Sequence, residues 1–233
     1  MLGMQLRSKV PDHHLADDSR HLLEVSLGII GTMSGLVLGL LVASSTATYN
    51  TQRSEVFEVS SKIILLDRLL AHYGPEASGA RRVLKETAVL ALYRVWPKDA
   101  AQQSILEPVA TGSDVFFDDV ERLPVKTENQ RMIKGEAMGL LTSLVQTRWL
   151  MYEQVESGIS LPLLVMLVFW FSITFLGFGM FAPRNATVMT ALAMCAMAVS
   201  GAVFLMLEMN TPFSGIVQIS SAPLLDAIKH LGQ

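Results

Sequence analysis

A long apolar stretch near the carboxyl end dominates the pattern of hydrophobic and polar positions. The segment Gly158–Leu207 contains one charged residue, Arg184. A helix rises about 1.5 Å per residue and the hydrocarbon core of a bilayer is about 30 Å thick, so about 20 apolar residues cross it. Residues 159–182 and 187–207 both reach that length, and a proline precedes Arg184 between them. The pattern predicts a transmembrane hairpin over residues 158–208.

A second apolar stretch covers residues 22–46. No charged residue occurs between Glu24 and Arg53, so this stretch also predicts a transmembrane helix. Small residues recur in it at every fourth position, which allows another helix backbone to approach closely. The neighbouring helix belongs either to the hairpin of the same chain or to other subunits around a shared axis. The small residues are Gly31, Gly35, Gly39 and Ala43.

Between these spans, residues 47–157 predict a soluble helical domain. Apolar residues recur at three- and four-residue spacing in residues 55–73 and 81–96, which is typical of amphipathic helices. Thr127–Gln130 fits a capping box and predicts the start of a long helix that ends near Glu156. No β pattern of comparable quality competes with these helices.

The two ends of the chain are short. Residues 1–21 are polar and mixed in charge, and they lack the apolar core of a signal peptide. Residues 209–233 predict a tail with a short amphipathic helix from about Pro223. The whole pattern predicts an all-α integral membrane protein with three transmembrane helices, in which the helical soluble domain is inserted before the last two.

Composition and charge exclude some classes of partner. The chain is 51% hydrophobic and 17% charged, too apolar for an ordinary soluble domain. Its net charge of −3 provides no basic surface, so we expect no nucleic-acid partner. The single Cys195 excludes an intrachain disulfide and a cysteine zinc site. Basic residues near the membrane are equally divided between its two sides, so charge alone does not set the orientation.

One cluster of residues could bind a metal ion. On a helix, His14, Asp17, Asp18 and His21 would share one face, with imidazole and carboxylate groups suited to zinc or another divalent ion. The alternative is that the aspartates cap and charge the start of the next helix while the histidines stay solvated. The sequence leaves both interpretations open.

Catalytic motifs are lacking. The sequence contains no glycine-rich phosphate loop, no GxSxG, no HExxH and no CxxC pair. We therefore expect that the protein is not an enzyme and needs no cofactor.

Several short runs are distinctive in combination: Leu38–Ser45 (LGLLVASS), Tyr49–Glu55 (YNTQRSE), Leu65–Arg68 (LLDR), Ala71–Glu76 (AHYGPE), Pro212–Gly215 (PFSG) and Ile219–Leu224 (ISSAPL). Together they resemble the bacterial bestrophin-like family of unknown function, and the resemblance covers nearly the whole chain. Members of that family carry one more apolar span upstream. The resemblance therefore implies four spans in the full family and predicts that an upstream transmembrane helix precedes this sequence.

The family is named after bestrophins, which are pentameric anion channels with a large cytosolic helical domain between their second and third spans. The resemblance implies a homo-oligomer, a pentamer by analogy, in the bacterial inner membrane, with the helical domain and the C-terminus in the cytosol. It makes Val25–Thr46 the pore-lining helix. Because channels can gate at hydrophobic constrictions, it also suggests four candidate neck residues. These are Ile29, Ile30, Leu36 and Leu40.

Two functions remain open at this point. The first is an oligomeric channel for small anions, embedded in the lipid bilayer, whose soluble helices form a vestibule. The second is a non-conducting membrane scaffold or accessory protein that binds a partner through its helical domain. A secondary transporter is disfavoured, because one chain has too few spans for an inverted repeat.

Overall fold

The computed structural model describes residues 17–97, 110–156, 160–182 and 185–233. Every regular element in these residues is helical, which confirms the predicted all-α fold. A 3₁₀ turn, Pro75–Ala77, follows the first helix. The α-helices are α1 (Asp17–Tyr73), α2 (Ser78–Val95), α3 (Ala110–Glu121), α4 (Glu128–Glu156), α5 (Leu161–Phe181), α6 (Ala186–Met209) and α7 (Ala222–His230).

Helix α1 is much longer than a membrane span. Its 57 residues extend about 85 Å, whereas a bilayer core measures about 30 Å, so only part of the helix can lie in lipid. The apolar part is Val25–Thr46, and the helix continues without a break through the segment 55–73, which the sequence predicts as a helix of the soluble domain. The chain has no glycine or proline between Gly39 and Gly74, so nothing in the sequence terminates the helix earlier.

Helices α5 and α6 cover the two arms of the predicted hairpin. With α1, they are the three helices in the described part of the chain that are long and apolar enough to cross a membrane. Pro162 lies in the first turn of α5, where its missing N–H costs no helical hydrogen bond. Helix α6 begins after Asn185, whose side-chain oxygen accepts a hydrogen bond of 2.9 Å from the Val188 N–H.

The chain divides into two compact units. The first, called here the membrane unit, consists of Met1–Ala47 and Ile159–Asn210. The second, the helical unit, consists of Thr48–Gly158 and Thr211–Gln233. Helix α1 contributes its first part to one unit and its second part to the other.

A large apolar cluster forms most of the core of the helical unit, and a smaller one lies around Phe213. The amphipathic faces predicted in α1 and α2 meet in the large cluster, with α3 and α4 packed against them. The C-terminal tail adds Leu224 and Leu231 to the same cluster, so it is part of this unit's core. The most deeply buried side chains include Leu66, Leu70, Ala77, Val120 and Ala137, each 0% exposed.

A buried ion pair fastens the tail to this core. Asp67 on α1 accepts two hydrogen bonds from the Arg81 guanidinium on α2, each 2.8 Å long. The backbone N–H of Gly232 donates a third to Asp67 Oδ2, at 3.2 Å. Lys85 donates to the carbonyl oxygen of Leu231 at 3.2 Å. The carboxylate therefore connects two helices with the end of the chain.

Burial and hydrogen bonding act in opposite directions on the pKa of Asp67. Burial raises it, but the hydrogen bonds from Arg81 and Gly232 and the positive charges of Arg81 and Lys85 outweigh that effect. The pKa of Asp67 is thus lowered from its usual value, and the carboxylate is the form that the folded chain stabilises.

Candidate functional site on the first membrane helix

The apolar part of α1 has one buried face within the membrane unit. Leu27, Ser34, Leu38 and Ser45 are at most 8% exposed. Because successive residues of a helix are about 100° apart, these four positions form a single line along it. Contacts with α5 are close on this side, since a Cβ at Gly31 would lie 3.4 Å from Thr174.

Most of the small-residue stripe lies away from this buried line. Gly35 and Gly39 are rotated from it by about 80–120° and are exposed. A Cβ at either glycine would meet no atom of the described part of the chain within 4 Å, and Ala43 is exposed as well. Of the four stripe residues, Gly31 is the one that packs against the hairpin. Packing among the described residues therefore explains one position of the stripe and leaves the other three uncovered by them.

Three of the four candidate neck residues share a second exposed face. Ile29, Leu36 and Leu40 are 57%, 67% and 64% exposed, and they lie about 180–220° from the buried line. Ile30 is half-buried and lies on another side of the helix. A row of large apolar side chains with room around it is what a hydrophobic constriction would require from each subunit.

The hydroxyl groups of the membrane unit are satisfied locally. Ser34 donates to the carbonyl oxygen of Ile30 at 2.7 Å, and Thr174 donates to that of Trp170 at 2.9 Å. Thr32 and Thr46 make the same bond to the residue four positions earlier, each at 2.8 Å, and the Thr46 hydroxyl also donates to Met209 Sδ on α6 at 3.4 Å. Such bonds let polar side chains reside in an apolar medium without a partner from another helix. The exposed face of α1 is mainly apolar, and its exposed Thr32 hydroxyl is satisfied within the helix.

The proposed metal ligands lie mostly outside the described residues. His14 lies outside the described residues. Asp17 and Asp18 begin the backbone of α1, but their side chains are not described. His21 is exposed on that helix. Among the side chains that are described, no group of three potential ligands lies together. The metal site stays a prediction.

Gly177 on α5 is a residue whose importance the sequence did not indicate. It is buried, and a Cβ there would overlap the side chain of Leu27 on α1. The close approach of α1 and α5 therefore depends on a glycine outside the stripe. The sequence indicates this role only weakly: Gly177 is a small residue among bulky ones in the run FLGFGM.

Replacing Gly177 with leucine is expected to destabilise the membrane unit by about 1–3 kcal/mol, because the new side chain must displace Leu27. The measurement is thermal unfolding of the purified protein in detergent. The matched control is Ala193→Leu, at an exposed position of α6, which should leave the melting temperature nearly unchanged. Equal effects of the two substitutions would contradict the close packing at Gly177.

A polar cluster in the helical unit was also missed. Gln154 on α4 donates a 2.9 Å hydrogen bond to Glu55 Oε1 on α1. Gln52 Oε1 and Glu55 Oε2 are buried and accept no hydrogen bond from the described residues. Burial raises the pKa of Glu55, the bond from Gln154 lowers it, and the charge of Glu58 raises it, with a net increase. This carboxyl is therefore protonated at a higher pH than an ordinary glutamate.

Comparisons with known proteins agree with this architecture. The crystal structure of a membrane protein with a single substitution has a TM-score of 0.71 and 12% identity, over 90% of this chain and 87% of that one. A bacterial bestrophin homologue from Klebsiella pneumoniae, also a point mutant, has a TM-score of 0.68 and 13% identity, over 90% and 88% of the two chains. At these identities the similarity concerns the fold. No curated protein matches the chain significantly.

A family model supplies the assignment. The model described as Bestrophin-like domain matches residues 1–224 of this chain. It covers the membrane helices, the helical domain and most of the tail, and it confirms the resemblance seen in the short sequence runs. With helices long and apolar enough to cross a bilayer, the chain is an integral membrane protein that belongs to the Bestrophin-like family.

Proposed function

We propose that this protein is a subunit of a homo-oligomeric ion channel for small anions, in which copies of α1 surround a common axis. The observation that carries the proposal is the uncovered face of α1, where Gly35 and Gly39 have open space beside them as far as the structure describes the chain. Helices in lipid associate through close packing at such small residues.

The second exposed face of α1 fits the same arrangement. If Gly35 and Gly39 pack against neighbouring subunits, the adjoining row Ile29, Leu36 and Leu40 can face the axis and narrow it. An apolar constriction gates by excluding water and needs no charged ring. By analogy with bestrophins, the ring contains about five subunits in the bacterial inner membrane, and the helical unit forms a cytosolic vestibule.

The test combines a subunit count with a flux assay. Native mass spectrometry of the detergent-purified protein should give a closed ring of about five subunits, and chloride flux from liposomes that contain the protein should exceed that from protein-free liposomes. Gly35→Leu should disrupt the ring and lower flux several-fold, because the added side chain prevents close helix approach.

Gly201 provides the matched control. It lies exposed on α6, and no described atom comes within 4 Å of a Cβ there, so Gly201→Leu should leave assembly and flux unchanged. A monomer or dimer would contradict the channel, as would a ring that transports no ions. Either result would favour the non-conducting scaffold, and the search would then turn to a partner of the helical unit.

A further inference from the structure

The helical unit contains a cavity that neither the fold nor the proposed pore explains. Its volume is about 90 Å³. Apolar side chains of α1, α2 and α4 form most of its wall, among them Ile63, Ala88 and Leu141. Two polar side chains also line it, Thr87 and Arg148. We call this space the Arg148 cavity.

The size of the cavity limits what it can hold. An apolar cavity of roughly 150 Å³ in another protein stays dry and accommodates benzene. The Arg148 cavity, at about 90 Å³, therefore has room for an apolar group of about three or four carbon atoms, and it is partly open to solvent, so a charged end can stay at the opening. Water is a poor occupant of the apolar part, because it needs two to four polar partners and most of the wall offers none.

Arg148 is the charged group on this wall. It is half-buried on α4, and no hydrogen bond or ion pair joins it to another described residue. Burial lowers the pKa of its guanidinium, and the nearby positive charge of Arg94 lowers it further. Two cations thus lie close together beside an apolar space, and no described acid neutralises Arg148. Removing a charge from water without a partner is costly, so an anion at this position would be stabilising.

The apolar wall and the charge of Arg148 together define the chemistry of a ligand that fits the cavity. A guanidinium forms paired hydrogen bonds with a planar carboxylate, and the apolar wall favours an alkyl group. An inorganic anion would satisfy Arg148 and leave the apolar wall unused, whereas a neutral hydrocarbon would do the reverse. A short monocarboxylate with three or so carbons beyond its charged end satisfies both.

We propose that the Arg148 cavity is a binding site for short-chain monocarboxylates of about the size of butyrate, with the carboxylate on Arg148 and the alkyl chain among the apolar side chains of α1, α2 and α4. The site lies within the helical unit. It does not depend on whether the protein conducts ions, so a failure of either proposal leaves the other standing.

The first test uses the unmodified full-length protein in detergent. Binding of sodium butyrate is measured by isothermal titration calorimetry and by the shift in melting temperature, at an ionic strength held constant with sodium chloride. Butyramide has the same shape without the charge, and it should bind at least about tenfold more weakly, since a charge-assisted hydrogen bond contributes more than a neutral one. Octanoate should bind no more tightly than butyrate, because its tail exceeds the cavity.

Variants then locate the site. Arg148→Gln should weaken butyrate binding about tenfold or more, and Arg148→Lys should restore part of the affinity by restoring the charge. Arg131→Gln is the matched control, because that arginine also lies on α4 and is exposed far from the cavity wall. Absence of butyrate binding overturns the proposal. So does equal binding of butyramide, or affinity that is unchanged in Arg148→Gln. The comparison of butyrate with butyramide needs no variant, so it decides the question even if Arg148→Gln does not fold.

Discussion

Replacing Asp67 with asparagine is expected to destabilise the helical unit by about 3 kcal/mol. The substitution keeps the shape of the side chain and removes the charge that Arg81 requires. In the folded chain the Asp67 and Arg81 side chains are 5% and 22% exposed, so little water can replace the lost partner. This loss of stability is at the lower end of the range for breaking a buried ion pair, because the Arg81 guanidinium retains some contact with solvent.

The measurement is thermal unfolding in detergent, followed by circular dichroism, where a loss of this size corresponds to a fall in melting temperature of roughly 6–12 °C. Asp118→Asn is the control. Its carboxylate also pairs with an arginine, Arg122, but the two side chains are 52% and 76% exposed, and such pairs contribute about 0–1 kcal/mol. Similar melting temperatures for the two variants would contradict the structural role of Asp67.

The contribution of the Asp67–Arg81 pair to the stability of the fold depends on pH. The pKa of Asp67 is lowered in the folded chain, so its contribution to stability is complete above the pKa of the unfolded carboxyl, near 4. The contribution disappears as the pH falls through the lowered pKa of the folded state. The difference in stability between the wild type and Asp67→Asn should therefore be constant above about pH 5 and shrink in more acidic solution.

Leu70→Ala is the second substitution with a large expected effect, a loss of about 3 kcal/mol. Leu70 is 0% exposed at the centre of the helical unit's core, and its removal leaves a cavity that close-packed neighbours cannot fill completely. Leucine and alanine both favour helices, so the change in packing dominates the result.

Leu65 on the same helix provides the comparison. It is 48% exposed, and Leu65→Ala should change the free energy of unfolding by no more than about 0.5 kcal/mol. Both variants are measured by the same thermal unfolding in detergent. If Leu65→Ala proved as harmful as Leu70→Ala, the assignment of the two faces of α1 would be wrong.

Local patterns predicted most elements of this fold, although they gave the single helix α1 as two separate helices over residues 22–46 and 55–73. Apolar length alone identified the membrane segments, because the thickness of a bilayer fixes how many residues must be apolar. Periodicity identified the amphipathic helices, and Leu66 and Leu70 on α1 are buried as that pattern requires. One half of the capping box at Thr127 is present, since the Gln130 N–H donates to the Thr127 hydroxyl at 3.2 Å. The Gln130 side chain instead accepts a bond of 2.9 Å from the N–H of Lys126, one residue before the expected donor.

The candidate pore face was only half predictable. Periodicity placed Gly31, Gly35, Gly39 and Ala43 in one stripe, but it could not tell whether the hairpin covered them. That depends on the rotation of α1 against α5, which Gly177 and Leu27 set by their close contact. A position in the chain carries no information about a contact with a helix more than a hundred residues away.

The sequence by itself determined that this protein is a helical membrane protein of the Bestrophin-like family, because hydrophobic length, helical period and short runs are local properties. Only the tertiary structure decided which face of α1 stays uncovered, that Asp67 pairs with Arg81 and Gly232, and that a cavity lies beside Arg148. These features depend on how separate helices pack, and packing is settled by the fit of side chains that are distant in sequence.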